Sequence, residues 1–148
     1  MGHKISILIR FHSGRERLLK RALDSIFNSG YPTENLAIVI HVSNSRDYEY
    51  LTYTYEQENI FFVINKFNQK VSRCFYNLYC NILKDIVQDG WFFYLDSDDY
   101  LIPNSLIEIS KHLTNEDEAV ICQFKRGSNL KPSNDLMDEW AIINGKIG

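Results

Sequence analysis

The chain has 148 residues, 45% of them hydrophobic and 24% charged, with a net charge of −3. These values fit a globular domain with one sizeable core, and nothing in them points to an electrostatic nucleic-acid binder. No apolar run approaches the roughly 20 residues that a membrane span requires.

Cys74, Cys80 and Cys122 are odd in number and lack Cys-x-x-Cys spacing. Without a secretory signal they read as reduced thiols, so a cytoplasmic protein is expected. Met1-Gly2-His3-Lys4 leads straight into a strand-like run, which leaves no room for a targeting segment.

Ile5-Ser6-Ile7-Leu8-Ile9 reads as a first strand that ends at Arg10-Phe11-His12-Ser13-Gly14. Ser13 or Gly14 can open the next helix, where Leu18, Leu19, Ala22, Leu23, Ile26 and Phe27 recur at three- and four-residue spacing. Arg15, Arg17, Lys20 and Arg21 form the densest basic group. They read as a solvated helix face, with peripheral membrane contact as the alternative. Asn28-Ser29-Gly30-Tyr31-Pro32 is a stop signal.

Leu36 to Val42 is a second strand, followed by the loop Ser43-Asn44-Ser45 and a short helix over Asp47 to Tyr55. The group Tyr48, Tyr50, Tyr53 and Tyr55 reads as a packed helix face. His41, inside the strand, reads as a satisfied core or edge histidine. Ile60 to Ile64 is a third strand, and Val71, Phe75, Leu78, Tyr79, Ile82 and Ile86 mark a long helix after it.

Trp91-Phe92-Phe93-Tyr94-Leu95 has no polar alternation and reads as a strand buried on both faces. Asp96, Asp98 and Asp99 follow at once, and then Pro103-Asn104-Ser105 opens a helix marked by Leu106, Ile107, Ile109 and Leu113. Glu118 to Phe124 reads as a fifth strand. Lys125 to Asp138 is mostly polar, with turn signals, and Trp140 to Ile143 reads as a last strand turning at Asn144-Gly145. Strands alternating with helices predict an α/β fold: one doubly wound, mainly parallel sheet flanked by helices, in a single domain over 1–148. The hairpin that opens at the end implies a fragment or a minimal version of something larger.

The three carboxylates carry the functional argument. They repel one another unless a cation or hydrogen-bond donors balance them. In open α/β sheets ligands collect at the carboxyl ends of strands, where these acids fall. Carboxylate oxygens suit Mg²⁺ or Mn²⁺, and Mg²⁺ commonly takes one or two carboxylates plus substrate phosphates. Asp and Ser also cap helices and form Asx-turns, so the triplet alone fits a structural turn. The apolar strand before it and the helix start after it favour a metal–diphosphate site. His12, at a strand end facing the same crevice, is a candidate donor contact. His3 and His112 look exposed, and no His pair has zinc-ligand spacing.

On Tyr94-Leu95-Asp96-Ser97-Asp98-Asp99-Tyr100-Leu101-Ile102-Pro103-Asn104, together with Ala22-Leu23-Asp24-Ser25-Ile26 and the Tyr31-Pro32 turn, the chain resembles the nucleotide-sugar-binding half of family 2 glycosyltransferases of the GT-A fold. The resemblance implies a nucleotide-sugar donor, most simply a UDP-sugar, a saccharide or lipid-linked acceptor, and Mn²⁺ or Mg²⁺. It implies that Asp98 ligates the metal, that Asp96 faces the ribose or reaches the metal through water, and that Asp99 sits near the sugar. Arg10, His12, Ser43 and Asn44 would hold the base, and Asn77 matches an Asn on the helix before the motif strand. Inverting members need a carboxylate base, for which Asp138 and Glu139 are the late candidates.

The chain departs from the family where Arg10-Phe11-His12-Ser13 replaces Pro-x-Tyr-Asn. It departs again where Val42 and Ser43 replace the usual acids, and where Phe75 and Tyr76 precede Asn77. A phosphotransferase with an Asp-x-Asp nucleophile fits less well, because Tyr100 stands where Thr or Val is wanted. A calcium loop fails for want of Gly at Leu101 and Glu at Ile107. The non-enzyme alternative is a nucleotide-sugar-binding module without turnover. An exposed face where an acceptor half would pack makes a homodimer an expectation.

Overall fold

The computed structural model describes residues 2–64 and 90–115, and beyond them the backbone of strands at 119–121, 125–128, 131–136 and 141–143. The chain divides into two compact units, Met1–Leu106 and Ile107–Gly148.

The first unit is built on four parallel strands. These are β1 (Ile5–Arg10), β2 (Leu36–Val42), β3 (Ile60–Ile64) and β4 (Trp91–Asp96), in the spatial order β3-β2-β1-β4. Branched aliphatic residues fill β1 and β2, and Ile7, Leu8, Ile9, Ile38 and Ile40 are wholly buried, as strands covered on both faces require. Helix α1 (Glu16–Phe27) follows β1 and buries Leu19, Ala22, Leu23 and Ile26, the expected stripe. It begins later than Ser13 or Gly14, because Gly14 takes a left-handed φ of 85° and turns the chain before the helix can start.

The stop signal after α1 works as expected. Asn28 N–H donates to Asp24 O, and the buried Tyr31 hydroxyl donates to the His3 carbonyl. Helix α2 (Ser45–Thr54) follows β2, and α3 spans Ser105–Ser110. Among the described residues no helix is long and apolar enough to cross a membrane.

Three expectations are corrected within this unit. Strand β4 is not buried on both faces: among the described strands it pairs only with β1, at the sheet edge, and Phe92 and Tyr94 are more than a third exposed. Their rings meet edge-to-face with centroids 5.9 Å apart, so the unbroken aromatic run reflects pairing along one face rather than double burial. The tyrosine group packs only in part: Tyr48 and Tyr55 are half-buried on the face of Leu51, and Tyr50 and Tyr53 are not. Leu51 is the buried residue there, and Tyr50 and Tyr53, about 100° and 200° around the helix from it, are exposed. The basic group on α1 is not simply a solvated face, because Arg15 and Arg21 both engage the acidic loop after β4.

The second unit is antiparallel. Strand β5 (Ala119–Ile121) pairs with β8 (Ala141–Ile143), and β6 (Lys125–Ser128) pairs with β7 (Lys131–Leu136). The expected fifth strand is described over Ala119–Ile121, in an antiparallel pair with β8, and the polar Lys125 to Asp138 segment contains a hairpin. Polar hairpins lack the apolar alternation by which strands are recognised. The expected helix over Val71 to Ile86 and the Asn144-Gly145 turn lie outside the described residues.

Candidate functional site

The strand order places the site. From β1 the chain runs outward to β2 and β3, then returns to place β4 on the other side of β1. Ligands of open parallel sheets bind where the order reverses, at the carboxyl ends. That point lies between β1 and β4, and the register sets Arg10 opposite Asp96 there, with His41 of β2 on Arg10's other side.

Beyond β1 the chain turns Phe11 into the core, and Phe11 N–H donates to His41 O over 2.9 Å. His12 is thereby brought back over Arg10. The guanidinium donates from Nε and Nη2 to His12 Nε2 at 3.1 and 2.9 Å. An Nε2 that accepts from a guanidinium carries no proton, so the neutral ring holds its hydrogen on Nδ1. Burial, then the charges of Arg10 and Arg15, lower the His12 pKa against the opposing pull of Asp96 and Asp98. Below, His41 is buried in β2, where desolvation and then Arg10 push its pKa down to about 4.

The acidic loop is shaped by one turn. Asp99 N–H donates to Asp96 O at 2.9 Å, which closes residues 96–99. Ser97 is tucked inside, 2% exposed, while Asp96, Asp98 and Asp99 face solvent. One oxygen from each of the three carboxylates lies within 4.8 Å of the others. Burial, then repulsion from Asp98 and Asp96, raise the Asp99 pKa, and Arg21 opposes the shift.

Residues around α1 hold this loop. Arg15 Nη1 donates to Asp98 Oδ2 at 3.1 Å, and Arg21 Nη2 donates to the Asp98 carbonyl at 2.6 Å. The Arg21 guanidinium also lies over the Tyr100 ring, 4.6 Å from its centroid, and Leu101 N–H donates to Ser25 Oγ at 2.9 Å. Sequence reasoning missed both arginines. Their contacts are 83 and 77 residues away along the chain, and helical periodicity reports only a residue's own helix face.

At the end of β2, Ser43 is half-buried and Asn44 caps α2. Asn44 Oδ1 accepts from Asp47 N–H at 2.8 Å, and its amide donates to the Asp47 carboxylate at 2.7 Å and to Ser13 Oγ at 3.2 Å. The Ser13 hydroxyl also donates to Asp47. Asn44 thus joins the loops after β1 and β2. Asn77, Asp138 and Glu139 lie outside the described residues.

The acidic triad fits a hard divalent cation. All three donors are carboxylate oxygens, and the buried Ser97 Oγ within the loop has no hydrogen-bond partner among the described residues. A cation of Mg²⁺ size sits about 2.1 Å from its ligands, so the carboxylates would close in slightly on binding.

This architecture recurs in solved structures. S. aureus TarS 1-349 matches with a TM-score of 0.60 at 15% identity, over 74% of this chain and 32% of that one. The same protein in complex with UDP-GlcNAc matches at 0.58 and 15%, over 74% and 30%. The mannosyltransferase PcManGT from Pyrobaculum calidifontis, in complex with GDP-Man and Mn²⁺, matches at 0.63 and 13%, over 85% and 36%. At such identities the likeness is one of fold, and the chain spans about a third of the length of these structures. The sequence itself matches no family model and no curated protein. The parallel sheet and its helices are a GT-A-like fold shared with glycosyltransferases.

Proposed function

We propose that this chain is the donor-binding half of a metal-dependent, inverting glycosyltransferase, reading a UDP-sugar and transferring its sugar to a saccharide or lipid-linked acceptor. The observation that carries the reading is the acidic triad at the carboxyl end of β4, beside the point where the strand order reverses. Asp98 and Asp96 would hold Mn²⁺ or Mg²⁺, which when bound neutralises charge developing on the departing diphosphate. Asp99 lies on the same exposed turn, where its carboxyl can accept a sugar hydroxyl.

Arg10, His12, Ser43 and Asn44 line the ends of β1 and β2 and would orient the nucleoside. His12 is held neutral by its bonds from Arg10, so it offers its Nδ1 hydrogen as a donor. The acceptor hydroxyl would give its proton to a carboxylate base as its oxygen bonds to the anomeric carbon. Asp138 and Glu139 are the proposed bases, and Asn77 a further donor contact.

Calorimetric titration of UDP, GDP and their sugar conjugates, with and without Mn²⁺, tests the reading against Asp98→Ala. Metal-dependent binding that is lost in the variant is expected. Absence of nucleotide binding under every condition would overturn it. Binding without transfer to any acceptor would make the chain a nucleotide-sugar-binding module instead.

A further inference from the structure

The two arginines hold the acidic loop in different ways. Arg21 grips the backbone: it donates to the Asp98 carbonyl and stacks on Tyr100. Neither contact uses a carboxylate oxygen, so Arg21 can stay in place whatever the acids bind. The Arg15 side chain, among the described residues, pairs with the Asp98 carboxylate alone, through Oδ2. It competes for the oxygens a cation would need.

The ion pair is also easy to open. Both side chains are 48% exposed, and exposed pairs of this kind contribute little net stability because water screens them and long side chains lose freedom in forming them. Arg15 precedes the first residue of α1, so its long side chain can swing without disturbing the helix. An arginine released beside a bound diphosphate finds a better partner there, since its planar fork matches phosphoryl oxygens and the contact is charge-assisted.

Building on the donor-site reading above, we propose that Arg15 is a displaceable counter-cation. It balances Asp98 while the site is empty, gives way to the divalent ion, and moves onto the phosphoryl oxygens of the nucleoside diphosphate. Arg15 is thus a positioning residue that makes metal binding weak without nucleotide and strong with it. The metal and the diphosphate become coupled through one side chain, and by linkage each strengthens the other equally.

The test is Mn²⁺ binding to the 148-residue chain, read by the loss of the free-ion paramagnetic resonance signal, first alone and then with saturating UDP or GDP. Arg15→Gln should tighten Mn²⁺ alone by about threefold, the order of an exposed ion pair. It should also weaken nucleoside diphosphate binding in the presence of Mn²⁺ by about tenfold, as loss of a charge-assisted contact does. Arg17→Gln makes the same change of charge two residues along the helix and should alter neither affinity. Arg15→Lys, which keeps the charge, should bring both back toward wild type.

Equal effects of Arg15→Gln and Arg17→Gln would overturn the proposal while leaving the donor site standing, because the cause would then be net charge. Weaker Mn²⁺ binding in Arg15→Gln would also overturn it, since Arg15 would then be supporting the metal site. Failure of every protein, wild type included, to bind Mn²⁺ or nucleotide would overturn both this proposal and the donor-site reading.

Discussion

Strands β1 and β4 lie side by side in register, and both read as apolar runs, yet they meet different fates. In β1 the residues Ile7, Leu8 and Ile9 are wholly buried, with neighbours on both sides. In β4 burial alternates: Leu95 faces inward while Phe92, Tyr94 and Asp96 remain open. The buried strand supplies a stiff floor whose end sets the position of Arg10. Strand β4, at the edge among the described strands, leads the acids out to where solvent reaches them. Three clustered carboxylates on a fully covered strand would suffer a large desolvation penalty. Position in the sheet, rather than composition, decides which strand can bear chemistry.

The sharpest way to break that contrast is truncation on each strand. Leu8→Ala should lower unfolding free energy by about 2–5 kcal/mol, because it empties space in a close-packed core, as measured by urea denaturation.

The floor should also be sensitive to acid through His41. Its folded-state pKa lies near 4 against an ordinary 6.5, so the unfolded chain takes up a proton that the folded chain refuses. Stability is then fully present above pH 6.5 and falls as pH drops toward 4, by on the order of 3 kcal/mol. Urea midpoints measured between pH 7 and 4.5 should show the decline, and His41→Gln should flatten it.

The entry to β4 gives a third test. Gly90 has a φ of 88°, and a Cβ there would lie 2.4 Å from the Lys4 carbonyl. Trp91 N–H donates to that same carbonyl at 2.8 Å. Gly90→Ala should cost about 1–3 kcal/mol through strain and displacement of this contact, readable as a lower melting temperature.

The smallest effect belongs to the open face of β4. Phe92→Ala removes a half-exposed ring and one edge-to-face contact, and should cost only about 1 kcal/mol. If it proved as damaging as Leu8→Ala, the distinction between floor and edge would fail.

Local sequence determined a good deal. The branched runs of β1 and β2, the three-and-four spacing of α1, the Gly30-Tyr31-Pro32 stop and the acidic triplet at a strand end are short-range patterns, and each has a local physical cause. The α/β alternation that follows from them was legible for the same reason. Asn44 capping α2 was not read: the helix was expected from Asp47, whereas it starts at Ser45 with the Asn44 side chain accepting from Asp47 N–H.

The tertiary structure decided what depends on neighbours distant in sequence. An apolar run does not reveal whether its strand will have one partner or two, so the edge position of β4 could not be read from Trp91 to Leu95. The polar hairpin of β6 and β7 shows no apolar alternation and is held by backbone pairing, which residue type encodes weakly. The grip of Arg15 and Arg21 on the Asp98 loop arises only when β4 is laid beside β1 and brings residues some 80 positions apart into contact. Side-chain identity supplied the charges of the site, and strand order supplied their partners.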